Sequence, residues 1–185
     1  ARIAIEEINT SGLIGEDRVR LKPENTIDYH CWPDGVAKMA ETLINKGVLA
    51  LTGVDCSGPA VEIARVAEKY GVPSISSGAN ASTLSSTEEC PWFVRVVTPS
   101  EAYEGHLIDV AAHFGVSRIG YLHTTDAWGM GARKVIQHYA LRHDIDIEIE
   151  HGFARDTVYK TVEQYVAEMK ASGLRHIVMT GPTPD

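Results

Sequence analysis

Several features are missing from this 185-residue chain, and each absence removes a class of function. No apolar run approaches the roughly 20 residues of a membrane-spanning helix. Basic residues are in the minority: 17 Lys and Arg against 25 Asp and Glu leave a net charge of -8, the wrong sign for a nucleic-acid partner. The eight histidines are scattered without HExxH or paired-Cys spacing, so no metal site is indicated. No GxSxG elbow is present to make Ser57 a hydrolase nucleophile. The glycine-rich WGMGAR (128–133) lacks both the third glycine of a dinucleotide fingerprint and the Lys-Ser/Thr of a phosphate loop. The chain therefore reads as a binder and not an enzyme, with no cofactor. It does not begin with Met, and ARIAIEEIN at its start is an amphipathic helix and not a signal peptide, so it reads as a piece of a longer protein.

The residues that are present suit a soluble core: 44% hydrophobic, 23% charged and eight prolines. Three cysteines decide nothing by count alone. Cys31 and Cys56 each follow a predicted strand and should lie at one sheet edge. A disulfide between them would close a loop of 25 positions, worth roughly 3 kcal/mol. Two buried free thiols are the other reading, and Cys90 is left over in either case. The triplets Asn9-Thr10-Ser11 and Asn80-Ala81-Ser82 are glycosylation sequons, compatible with a secreted setting.

Strand and helix patterns alternate throughout. Residues 1–9 are the tail of a helix, and 19–29 an extended segment broken near Pro23. Val36, Met39, Ala40, Leu43 and Ile44 form a helical stripe stopped by Gly47. VLALTG (48–53) is a continuous apolar run, as expected of a strand covered on both faces. Pro59 opens a helix with Ile63, Ala64 and Ala67 facing inward, ended at Gly71 and followed by the strand PSISS (73–77). After a polar stretch (78–89) comes the strand PWFVRVV (91–97). Residues 98–100 then cap a helix carrying Tyr103, Leu107, Val110, Ala111 and Phe114 on one face. SRIGYLH (117–123), a helix capped by Asp126, IDIEIEH (145–151), a helix from about 158 to 171 and RHIVMT (175–180) complete the series. About seven strands separated by helices imply an α/β fold with parallel sheets. Two lobes are expected, 1–97 and 98–185, with the switch near 94–101.

Small, hydroxyl-bearing and glycine-rich turns sit where parallel strands should finish, the usual ligand edge of such sheets. Ser57 lies at a strand-to-helix turn, beside free helix N-terminal amides suited to a carboxylate, although it could simply cap the helix. Gly78, Ala79 and Asn80 form a tight turn where backbone can approach a ligand. Glu101 stands at a helix start, and Trp128 lies near another. An indole wall with a carboxylate is a sound way to hold an ammonium group. His123 reads as a hydrogen-bonded structural residue.

Taken in order, AIEEIN (4–9), Cys31 with Cys56-Ser57 and Pro33, YGVPSIS (70–76), SGANAS (77–82), PWFVRVVTPS (91–100) and HTTDAWGMG (123–131) resemble the ligand-binding region of the type I periplasmic-binding-protein superfamily. The likeness is greatest to the extracellular domains of metabotropic GABA and glutamate receptors and natriuretic peptide receptors, and extends to branched-chain amino-acid-binding proteins. The resemblance implies two α/β lobes closing over a ligand, here as an incomplete fragment without the first strand and the return segments. It implies a Cys31–Cys56 disulfide. It also implies ligand contacts at Ser57 (carboxylate), Gly78, Ala79 and Asn80 (the small-residue turn), Glu101 (amine) and Trp128 (stacking). Gly78 and Asn80 depart from the family's Ser-Ala-Thr pattern. The implied partner is a small amino-acid-like ligand. Membrane association would come only through other parts of the parent protein, and a homo- or heterodimer through the first lobe is compatible. The expected location is the extracellular side of a plasma membrane, or a bacterial periplasm if the protein is a transporter's solute-binding subunit. A Rossmann-like nucleotide-using enzyme is the alternative of another class.

Overall fold

The computed structural model describes residues 2–13, 15, 28, 29, 31, 34–157 and 159–181. The predicted extended segment 19–29 lies outside these apart from residues 28 and 29, as do Pro33 and the final loop beyond Gly181. The described elements are α1 (Arg2–Ser11), α2 (Val36–Asn45), β1 (Leu51–Thr52), α3 (Ser57–Tyr70), β2 (Ser74–Ser76), β3 (Phe93–Arg95), α4 (Gly105–His113), β4 (Arg118–Thr124), α5 (Ala127–Arg142), β5 (Asp146–Phe153), α6 (Tyr159–Ala171) and β6 (Ile177–Thr180). Short 3-10 turns occupy Ser82–Ser85 and Ser100–Ala102. Two three-stranded parallel sheets result, ordered β1-β2-β3 and β5-β4-β6.

Helix α3 follows its sequence closely. Ile63, Ala64 and Ala67 are buried, as are Ala60 and Val66. Gly71 ends the helix at φ 64, a left-handed conformation that glycine adopts without steric cost. The first core joins Val36 and Ala40 of α2 to Leu51, Val54, the buried face of α3, Ala79, Ala81 and Leu84. A second core gathers Ile108 of α4, Ile119 and Tyr121 of β4, Ile136 and Ala140 of α5, and Ile145. Leu122, Phe153, Met169 and Leu174 make a third.

Two expectations fail here. The strands of the first sheet are shorter than the apolar runs that suggested them, and among the described residues the sheet is covered on one face only. In-register Leu51, Ser74 and Phe93 face the α2–α3 layer, while Ile75 and Val94 on the other face are exposed, as is Leu49 before β1. Of the apolar stripe expected on α4, Ala111 packs on the second core but the larger residues do not. Tyr103, Leu107, Val110 and Phe114 are exposed, and the buried face runs through Gly105 and Ile108. The cause lies in the helix start. A 3-10 turn precedes α4 and shifts its phase, and Gly105 packs so closely on α5 that a Cβ there would run into the Tyr139 ring.

Candidate binding site at the strand ends

The turn after β1 and the turn after β2 are tied together by side chains. The Ser76 hydroxyl donates to the Val54 carbonyl and accepts from the amides of Gly78 (3.2 Å) and Ala79 (2.8 Å). Gly78 has no room for a side chain, because a Cβ would stand 2.9 Å from the Asp55 carbonyl oxygen. Its lack of the hydroxyl that the family pattern calls for thus has a packing reason.

Ser57 is buried at the first turn of α3 and does not cap it. Its hydroxyl accepts from the Ala81 amide at 3.1 Å and donates to Asn80 Oδ1 at 3.4 Å. Asn80 in turn donates from Nδ2 to the Tyr103 hydroxyl, and its carbonyl accepts from the Ser100 amide at 2.8 Å. The Asn80 amide nitrogen, where a glycan would attach, is thereby engaged. Four of the expected residues (Ser57, Gly78, Ala79 and Asn80) therefore form one cradle, which the turn at 100–104 closes.

Glu101 lies on that turn. Its Oε1 accepts from the Ser85 hydroxyl and stands 3.9 Å from Arg95, whose guanidinium also holds the Ala81 carbonyl at 2.9 Å. Trp128, on the first turn of α5, reaches the same turn from the other side. Its indole N–H donates to Glu104 Oε1 at 3.1 Å. Arg155 lies over the Trp128 ring, 5.9 Å from its centroid, and pairs with Asp126 at 2.8 Å. Asp126 caps α5 as expected, accepting from the Gly129 amide at 3.0 Å. Burial alone would raise its carboxyl, but the bonds from Gly129, Arg155 and Thr124 together hold it below the usual carboxylate range.

Sequence reasoning missed Glu104 and assigned Tyr103 to an apolar stripe. Glu104 is 3% exposed. Burial first, and the charge of Glu101 beside it, push its carboxyl up to about 7 against the pull of the Trp128 bond. No local pattern gives this away, since a Glu at a helix start is ordinary. His123 is buried and structural as expected, with Nδ1 at the Thr124 carbonyl (2.9 Å) and Nε2 at Glu150 (3.3 Å). Cys31 and Cys56 form a disulfide, and Cys90 is free and buried. Among the described residues no cluster could hold a metal ion, and no helix is long and apolar enough to cross a membrane.

The position of Trp128 depends on how tightly α5 begins. A Cβ on Gly129 would stand 2.6 Å from the Thr124 carbonyl carbon and closer still to its oxygen, both backbone atoms that cannot swing away. Gly129→Ala should therefore destabilise the protein by about 1–3 kcal/mol, the usual cost of overpacking. A urea denaturation midpoint equal to wild type would show that this helix start yields without cost.

The family model described as "Receptor family ligand binding region" matches residues 1–185. The chain is 20% identical over 148 residues to a metabotropic glutamate receptor of Drosophila melanogaster, covering 78% of this chain and 15% of the receptor. Two solved structures share its fold. One is a solute-binding protein of an ABC transporter from Rhodopseudomonas palustris BisB5 in complex with 3,4-dihydroxybenzoic acid. It has a TM-score of 0.74 and 23% identity, over 85% of this chain and 42% of that one. The other is an ABC transporter substrate-binding protein from Desulfitobacterium hafniense in complex with Leu, with a TM-score of 0.72 and 19% identity, over 96% and 52%. The chain thus spans about half the length of these solved neighbours and a smaller share of the receptor.

Proposed function

The chain belongs to the receptor family ligand-binding regions of the type I periplasmic-binding-protein superfamily, and we propose that it is part of the sensor domain of a membrane receptor. Its ligand is an amino acid or similar small zwitterion, met on the extracellular side. Residues 1–97 and 98–185 contribute to two lobes, a division supported by one core within 36–90 and others within 108–174. The observation that carries the reading is the convergence on the turn at 100–104. Asn80 engages it from the cradle at the ends of β1 and β2, and Trp128 engages it from α5.

Ser57 and the α3 amides take the ligand's carboxylate, displacing the long Ser57–Asn80 bond. Gly78, Ala79 and Asn80 form the wall, Glu101 takes the basic end, and Trp128 covers the ligand. No bond is made or broken. The ligand favours the closed arrangement because its differential affinity for that state shifts the population.

A thermal-shift screen of the full-length protein against amino acids, GABA-like zwitterions and nucleotides tests this. A ligand at 100 times its Kd adds roughly 2.7 kcal/mol. Trp128→Ala should weaken zwitterion binding at least tenfold while lowering the folding midpoint little. Equal losses in both would make Trp128 a core residue, and a shift with nucleotides alone would favour an enzyme. A second reading, the solute-binding subunit of a transporter, is supported by both solved neighbours being ABC transporter binding proteins. Full-length protein that stays in membranes through its own spanning helix supports the receptor, and a freely released or lipid-tethered protein supports the transporter.

A further inference from the structure

Glu101 and Glu104 stand one turn apart, and each has one oxygen engaged and one unengaged. Oε1 of Glu101 takes the Ser85 hydroxyl, and Oε1 of Glu104 takes the Trp128 indole. Oε2 of each is buried and has no hydrogen-bond partner among the described residues. The nearby cations are committed elsewhere. Arg95 serves Ala81, Ser85 and the Oε1 side of Glu101, and Arg155 serves Asp126. A carboxylate buried as deeply as Glu104, with one oxygen unpartnered, is costly to ionise unless a cation comes beside it. The opposite end of the cradle differs. There the Ser57 hydroxyl accepts from the Ala81 amide and its proton goes to the long bond with Asn80, leaving it a donor for an anion and not a partner for a cation.

We propose that Glu104 acts with Glu101 as a cation subsite and makes this a site for ligands with net positive charge, a basic amino acid or an alkylamine. The inference rests on the binding-site reading above and deepens it by naming the ligand class. An ammonium or guanidinium reaching both Oε2 atoms would gain charge-assisted hydrogen bonds from each. It would also meet the edge of a site walled by Trp128. An acidic ligand would instead bring a third negative charge to the pair.

Calorimetric titration of the full-length protein with arginine, putrescine, leucine and glutamate tests it, on wild type, Glu104→Gln and Trp128→Ala. In wild type, arginine or putrescine should bind at least tenfold tighter than leucine, and glutamate weakest. Glu104→Gln keeps the shape and removes the charge, so it should cut cationic affinity tenfold or more and narrow that preference. Unchanged circular dichroism and a thermal midpoint no lower than that of wild type would show that the variant is folded. Leucine or glutamate bound best, lost with Trp128→Ala but indifferent to Glu104→Gln, overturns the inference and leaves the zwitterion site standing. Putrescine bound in a Glu104-dependent way with no amino acid bound supports the cation subsite and overturns the zwitterion reading. No binding of either cationic probe at millimolar concentration overturns the inference.

Discussion

Glu104→Gln should be as stable as wild type near pH 4 and more stable by ~3 kcal/mol near pH 8, because it removes a buried acid that must ionise as the pH rises. The sign follows from the two pKa values. The native carboxyl titrates at about 7, against 4.5 for the ordinary group. The native state therefore holds this proton more tightly than the unfolded chain does. The stability it confers is complete below pH 4.5 and is lost as the pH rises through about 7. Glutamine has no proton to lose, so its curve lacks this decline. Asp126, Asp109 and Glu150 have lowered pKa values and act in the opposite direction, losing stability as the pH falls. They are common to both proteins and cancel in the difference. Urea unfolding at half-unit steps from pH 4 to 8 measures that difference, and parallel curves would mean the Glu104 carboxyl is not sequestered. The result also protects the binding test, because a variant more stable at neutral pH cannot lose affinity by unfolding.

The contrast between Glu104 and Asp126 shows what was legible in the sequence. Asp126 acts within its own turn, capping the Gly129 amide three residues on, so local pattern suffices. Gly71 is similar, since the helix stop depends on one residue's backbone freedom. Glu104 acquires its raised carboxyl from burial that only assembly creates, and its indole partner Trp128 lies 24 positions away. Ser57 lies between these cases. Its place at the strand-to-helix turn was readable, but its hydroxyl is held by Ala81 and Asn80 across the sheet edge, and the local capping role did not materialise.

The same limit explains α4. A stripe of Tyr103, Leu107, Val110 and Phe114 reads as a helix face because the spacing is right, but spacing cannot say which face meets a neighbour. Here glycine and isoleucine meet the Tyr139 side of α5, and the larger residues stay outside. Continuous apolarity at 48–53 misled for a related reason. It reports capacity for burial on two faces, and the described residues supply cover for one.

Replacing Cys31 and Cys56 with serine should cost about 3 kcal/mol, the loop-closure entropy of a cross-link spanning 25 positions. The bridge joins two Cα atoms 5.4 Å apart and fixes the chain ahead of α2 to the turn that begins α3. A second tie runs beside it, where the Asp55 amide donates to the Tyr29 hydroxyl at 2.8 Å. That bond is too weak to replace the cross-link, being worth about 1 kcal/mol. Cys31 is also one of two non-glycine residues described at positive φ, at 60°, a conformation that costs an L-residue about 1–2 kcal/mol. The serine at 31 inherits that cost without the covalent bond that enforces it. Cys31→Gly with Cys56→Ser should therefore recover about 1 kcal/mol of the loss, provided the turn keeps its shape when the bridge is gone. Denaturation of both double variants, and of the native protein with and without reductant, separates the two contributions. Equal stability of the reduced and oxidised protein would refute the loop-entropy account. A glycine variant no better than serine would show that the left-handed turn relaxes once released. Affinity should suffer less than stability, because Ser57 is held by its own bonds to Ala81 and Asn80 and not through the neighbouring sulfur.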